Sequence, residues 1–76
     1  MTANEKMQLR INGMSYNQIT RTKFVIQNQE KKLQGLIYKS LGLDKHKPGW
    51  VASFSHQSKC FDERLDAVKF LIKLMK

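Results

Sequence analysis

The chain has 76 residues, enough for one domain whose hydrophobic core is close to the smallest that folds without disulfides or metals. A hydrophobic share of 41% favours a folded chain over a disordered one, and apolar runs of at most three residues exclude a membrane span. Fourteen lysines and arginines against six acids give a net charge of +8, which favours polyanions such as nucleic acid as partners.

The cysteine content and the N-terminus bear on location. A single cysteine, Cys60, excludes an internal disulfide, and the chain does not open on a charged leader followed by an apolar stretch. We therefore expect a cytoplasmic protein that folds as one domain over residues 1–76. Its positive charge is concentrated in the middle, because residues 31–61 carry six bases and one acid.

The first part of the chain predicts a β-hairpin. In MQLRINGMSY, residues 7–16, apolar side chains alternate on both sides of Asn12-Gly13. Asparagine and glycine both tolerate positive φ, so the pattern indicates strand, turn, strand, with the first strand before Asn12. The second arm continues into ITRTKFVI, residues 19–26, whose β-branched side chains favour a pleated surface. GMSYNQI also resembles the first helix of a helix-turn-helix protein, although the small residue expected at the turn is absent.

The next segment, residues 28–42, changes period. Its apolar side chains recur at helical spacing, at Leu33, Leu36, Ile37 and Leu41. This pattern predicts an amphipathic helix with Asn28 as N-cap and Gly42 just past its end. Gly35 inside that helix costs about 1 kcal/mol relative to alanine. Residues 43–49, LDKHKPG, are predicted as a loop because proline bars helical continuation.

The last third of the chain predicts a second hairpin and a helix. Side chains alternate from Trp50 to Phe54, a polar turn follows at residues 56–59, and a second strand returns through Cys60 and Phe61. DERLDAVKFLIKLMK, residues 62–76, then predicts a helix capped by its first aspartate. The acids at its start and the lysines at its end complement the helix dipole, so these lysines require no ligand.

Together these elements predict an α+β fold of two β-hairpins and two helices in the order ββαββα. The sheet is small and antiparallel, and the C-terminal helix backs it. Trp50 has two interpretations: an anchor in the core beneath that helix, or a ring that stacks on a base. The shortage of large side chains in so short a chain favours the core.

The middle segment combines the two requirements of nucleic-acid binding. Phosphate contacts need flexible cations, whereas groove contacts need a rigid element, and a two-stranded ribbon fits the major groove of DNA. DNA is therefore expected more than RNA. The predicted nucleic-acid-binding residues are Lys31, Lys32, Lys45, His46, Lys47, His56 and Lys59. The alternative interpretation is a solvated basic surface that only keeps a small protein soluble.

Catalysis, cofactors and metals are not expected. His46, His56 and Cys60 are the only imidazole or thiol ligands, and a structural zinc site needs four ligands. A nucleophile formed by Cys60 and His56 has no third group to orient it, and the glycines form no phosphate-binding loop. Cys60 is better explained as a small buried apolar residue.

A protein partner is the alternative to nucleic acid. An adaptor or inhibitor could dock on an acidic protein, and a homodimer could form through the C-terminal helix, whose apolar face includes Phe70, Leu74 and Met75. A membrane-surface role is not expected, because the bases do not lie opposite one continuous apolar helix face.

GWVASFSHQSKCFDERLDAVKFL, residues 49–71, resembles the later part of AP2-type and integrase arm-type DNA-binding domains. The matching positions are Trp50, Ala52, Phe61, Ala67 and Phe70. The resemblance implies a three-stranded sheet that lies in the DNA major groove, backed by a helix, with Val51, Ser53 and Lys59 as contacts. It also implies that LQGLIYKS, residues 33–40, forms the first strand, where the apolar spacing predicts a helix. Those domains usually carry glycine at the position of Cys60.

Overall fold

The computed structural model describes residues 1–42 and 48–76. The elements in chain order are α1 (Ala3–Ile11), β1 (Ser15–Thr20), β2 (Lys23–Asn28), β3 (Leu33–Ser40), β4 (Gly49–Phe54), β5 (Gln57–Phe61) and α2 (Arg64–Met75). The five strands form one antiparallel sheet in the order β1-β2-β3-β4-β5. α2 packs across β3, β4 and β5, while α1 packs beside α2 and against β1. Both helices lie on the same face, and we call the opposite face the open face.

The α+β class is confirmed, but the predicted order ββαββα is wrong. A helix precedes the sheet, and five strands follow without interruption. The second predicted hairpin is present as β4 and β5, and the C-terminal helix is present as α2. Glu63 is the N-cap of α2 instead of Asp62, and its side chain makes no capping hydrogen bond.

The segment before Asn12 is a helix and not the predicted strand. The Thr2 hydroxyl accepts a hydrogen bond from the Glu5 backbone N–H at 3.3 Å, and the Glu5 carboxylate accepts one from the Thr2 N–H at 2.7 Å. This reciprocal capping box fixes the start of α1. Gly13, with φ of +71°, then ends the helix, so the Asn-Gly pair acts as a helix stop and not as a hairpin turn.

The predicted helix over residues 28–42 is also wrong, because its centre is strand β3. Ile37 faces the helices and is fully buried, while Leu36 and Tyr38 are half-buried on the open face. Apolar side chains on both faces hide the period of two that marks a strand. Gly35 faces α2, and a Cβ there would lie 2.9 Å from the Met75 Sδ atom. The glycine therefore allows a close approach of helix and strand.

The core lies between the sheet and α2. It consists mainly of Phe24, Ile26, Ile37, Ala52, Val68, Leu71 and Met75, with Leu9 from α1. The apolar face of α2 is therefore used to cover the sheet. Phe70 packs on Phe61 with 5.3 Å between ring centroids, and Met75 is fully buried. The face predicted to hold a homodimer together thus belongs largely to the core.

Candidate nucleic-acid interface

Two turns that carry predicted contact residues emerge at the same end of the sheet. β2 and β4 both run toward this end, so the β2–β3 turn at residues 29–32 and the β4–β5 turn at Ser55-His56 lie on one side of the molecule. The C-terminus of α2 lies at the same end. We call this region the cationic end and define it by Lys31, Lys32, His56, Lys73 and Lys76.

Asn28 joins the β2–β3 turn to the end of α2. Its buried side-chain amide donates a hydrogen bond to the Met75 carbonyl oxygen at 2.8 Å, and its Oδ1 accepts one from the Lys31 backbone N–H at 3.3 Å. The Asn28 side chain therefore holds Lys31 near the end of α2, after which Lys76 follows. The sequence suggested Asn28 as a helix cap, whereas here it satisfies the end of a different helix.

The tip of the β4–β5 hairpin is exposed to solvent. Phe54 pairs with Gln57, which leaves a two-residue turn, and Ser55 adopts a left-handed φ of +57°. Residues 55–59 are all exposed and carry hydroxyl, imidazole, amide and ammonium groups without a carboxylate. The tip therefore offers hydrogen-bonding groups and one cation, Lys59, next to the cationic end.

A depression of about 320 Å³ adjoins the β2–β3 turn. It is lined by Gln27, Gln29, Lys32, Leu33 and Gln34. Three amides provide both donors and acceptors, which is the combination that reads the edge of an adenine, and the ammonium suits a phosphate. None of the three glutamines was predicted as a contact, because single glutamines in a sequence carry no distinctive pattern.

The predicted hairpin contacts lie on different surfaces. Val51 and Ser53 lie on the open face, but Val51 is fully buried. Lys59 pairs with Ala52 and so points to the helix side, where its Nζ lies 5.5 Å from the centroid of the Phe61 ring. Lys59 and Ser53 thus lie on opposite faces of the sheet. A ligand can contact both only if it wraps around the exposed edge of β5. Lys45, His46 and Lys47 lie outside the described residues.

Acidic groups are segregated onto the helix side of the molecule. The two helices, the two residues before α2 and Lys76 carry six bases and four acids. The five strands and the turns β1–β2 and β2–β3 carry six bases and one acid, Glu30. Within the described ranges, the open face has no carboxylate, and its central row consists of Asn17, Val25, Leu36, Ser53 and Ser58. A polyanion on the sheet therefore meets little repulsion.

The opposite end of the molecule is held by an ion pair that the sequence did not reveal. The Arg64 Nε donates a hydrogen bond to the Glu5 Oε2 at 2.7 Å. The Arg64 Nη2 donates a second one to the Glu5 Oε1 at 3.0 Å. The guanidinium also lies 5.2 Å from the Phe24 ring centroid and 5.1 Å from that of Trp50. The Thr-x-x-Glu pattern at the N-terminus was the available signal for the helix that places Glu5.

The charge of Glu5 is stabilised despite its burial. Desolvation alone raises the pKa of this carboxyl, but the Arg64 guanidinium and the Thr2 N–H outweigh it and hold the pKa at about 2. A cavity of about 400 Å³ adjoins this pair, lined by Trp50 together with Asp62 and Glu63. Because carboxylates border it, this cavity is a poor site for phosphate. Trp50 is partly buried and packs against the core, as the core interpretation predicted, and its ring also contacts the Arg64 guanidinium.

Cys60 is half-buried on the open face opposite Val51, and therefore less enclosed than predicted. In the described ranges, no three acidic, histidine or cysteine side chains come together as metal ligands, and no helix is long and apolar enough to cross a membrane. No known family model, curated protein or solved structure matches the chain.

Proposed function

We propose that the protein binds nucleic acid, with duplex DNA favoured over RNA, through the cationic end and the β4–β5 hairpin. The observation that carries the proposal is the convergence of Lys31, Lys32 and His56 with the end of α2. Lysines held at a structured end can contact successive phosphates, while the exposed hairpin tip and the neighbouring glutamines offer groups for base edges.

The dimensions of the sheet favour one edge as the groove-binding part. Strands lie about 4.8 Å apart, so a five-stranded face is roughly 19 Å wide, whereas the DNA major groove is about 12 Å wide. The whole face is too broad to enter, but the β4–β5 ribbon at the edge fits. Ser53 and Ser58 then face the groove, while Lys59 lies on the helix side of the ribbon, where α2 packs, and is left for a flanking phosphate.

Fluorescence anisotropy with a labelled duplex over a salt series tests this proposal. Each lost phosphate contact lowers the slope of log affinity against log salt by about 0.9, so Lys31→Gln with Lys32→Gln should lower it by ~1.8. The matched control is Arg21→Gln with Lys23→Gln, which removes two exposed charges, one from the β1–β2 turn and one from the first residue of β2, at the other end of the sheet.

The two double variants separate a site from a diffuse field. A specific cationic end requires the Lys31 and Lys32 pair to weaken binding much more than the control pair. Equal losses indicate that the charge acts only through the overall field and solubility of the protein. Absence of binding by the unmodified chain at low salt rejects the proposal. Single-stranded DNA and duplex RNA of the same length test the preference for duplex DNA.

A protein-binding role is the second candidate, and exposed apolar side chains favour it. Met7 and Ile11 lie one turn apart on α1 and are 52% and 67% exposed, and Ile19 on β1 is 57% exposed. Such side chains on a small domain often mark an interface. Affinity capture from nuclease-treated extract, compared with untreated extract, distinguishes a protein partner from a nucleic-acid bridge. A cytoplasmic location belongs with either role and is tested by fractionation.

A further inference from the structure

The two edges of the sheet differ in how they are protected. Exposed edge strands invite pairing with other chains, and natural proteins commonly block them with charges, especially lysine. β5 carries Lys59 at its centre, whereas β1, with the sequence SYNQIT, carries no charge and no proline. All residues of β1 except Tyr16 are exposed. β1 is therefore the open edge.

We propose that two copies of the chain pair through β1 in an antiparallel manner, which joins their sheets into one. The register of β1 against β2 is regular from Ser15 to Gln18, and the irregularity falls only at Ile19. These four residues form a straight, uncharged segment. Because β1 has no charged side chain, no antiparallel register between two copies places like charges opposite each other.

The helix layer supplies apolar area at the same edge. Four paired residues bury little surface, and a stable interface needs about 1,200 Å² or more in total. α1 is the helix that packs against β1, and Met7 and Ile11 are exposed on this helix. In a dimer that pairs β1 about a two-fold axis, each copy contributes its own α1, with these two side chains, to the interface. A second copy thus covers an edge strand and exposed apolar side chains together.

Self-association and nucleic-acid binding respond to salt in opposite directions. Each copy carries +8, so two copies repel, and added salt screens this repulsion. The dimer should therefore strengthen as salt rises, whereas binding to DNA weakens. The inference does not depend on the proposed function, because β1 lies at the edge opposite the β4–β5 hairpin.

Sedimentation of the full chain over a concentration series up to about 1 mM provides the test. We expect a reversible shift from 8.9 kDa to twice that mass. Asn17→Lys places a charge on the pairing edge and should weaken the dimer on the order of tenfold, since two such charges meet across the two-fold axis. The matched control is Ser58→Lys, which adds the same charge at the other end of the same cross-strand row and should leave the dimer unchanged.

Circular dichroism and urea unfolding of both variants separate lost pairing from lost folding, and slower amide exchange in β1 at high concentration locates the contact. A monomeric mass throughout the series overturns the inference, as does an equal effect of the two lysine substitutions. A monomer that binds an extended segment of a foreign protein also overturns it, because β1 would then serve a different occupant.

Discussion

The Glu5–Arg64 pair predicts a pH-dependent stability that one substitution can isolate. Glu5 is 2% exposed, and its pKa is lowered from 4.5 to about 2. A carboxyl with a depressed pKa stabilises the fold fully above its unfolded pKa, and this stabilisation is lost as pH falls toward the folded pKa. The window for the loss is therefore between about pH 5 and pH 2. The shift corresponds to about 3 kcal/mol at neutral pH.

Glu5→Gln is the appropriate perturbation because glutamine resembles the protonated carboxyl. At pH 7 we expect the variant to be less stable by about 3 kcal/mol, which is a large share of the roughly 4–11 kcal/mol typical of a chain this size. At pH 2 most of that difference should disappear, because Glu5 of the unmodified chain is then half protonated. Urea unfolding at several pH values, followed by circular dichroism, measures both stabilities.

The comparison has an internal control. Glu63→Gln makes the same chemical change at an exposed residue whose side chain forms no capping bond, and it should alter stability by less than about 0.5 kcal/mol. Taking the difference between the unmodified chain and Glu5→Gln at each pH cancels the contribution of every other acid. A difference that stays constant from pH 7 to pH 2 refutes the assignment of the depressed pKa to Glu5.

Three further substitutions test the packing by urea unfolding. Gly35→Val should destabilise the fold by about 1–3 kcal/mol, because a Cβ at this position would lie only 2.9 Å from Met75 Sδ; a neutral result means that α2 can shift freely. Asn28→Ala should cost about 1–3 kcal/mol by leaving the Met75 carbonyl without its donor, and exchange of the Lys31 amide should accelerate. Ser55→Gly should raise stability by up to about 1 kcal/mol, since glycine adopts φ of +57° without strain; a loss indicates a role for the hydroxyl.

The second half of the fold was predictable because its signals are local. Period-two alternation marked β4, and α2 has an apolar face with acids first and bases last. The first half was not, because its signals are ambiguous without tertiary contacts. Asn12-Gly13 suits either a hairpin or a helix end, and the capping box decides between them. The strand β3 carries apolar residues on both faces, which hides its period of two. The glycine at position 35 is explained only by its contact with α2.

The candidate site was predictable only in part for a similar reason. The sequence identified Lys31, Lys32 and His56, but their proximity depends on an uninterrupted antiparallel sheet that the predicted helix over 28–42 would have broken. The hydrogen bond from Asn28 to the Met75 carbonyl joins residues 47 positions apart, and no short sequence pattern predicts such a contact.

The polarity of the molecule follows from the parallel direction of its two helices. The pair between Glu5 in the first turn of α1 and Arg64 at the start of α2 shows that both helices begin at one end of the sheet. Acids are stabilising at helix N-termini and bases at C-termini, so dipole compensation alone gathers positive charge at the other end. The lysines of α2 therefore have a structural reason to be there. Lys31 and Lys32 do not, because they lie in a turn outside any helix. Replacing Lys31 and Lys32 should weaken nucleic-acid binding while the free energy of unfolding changes by less than about 0.5 kcal/mol. This result separates charge used for binding from charge that compensates a helix dipole.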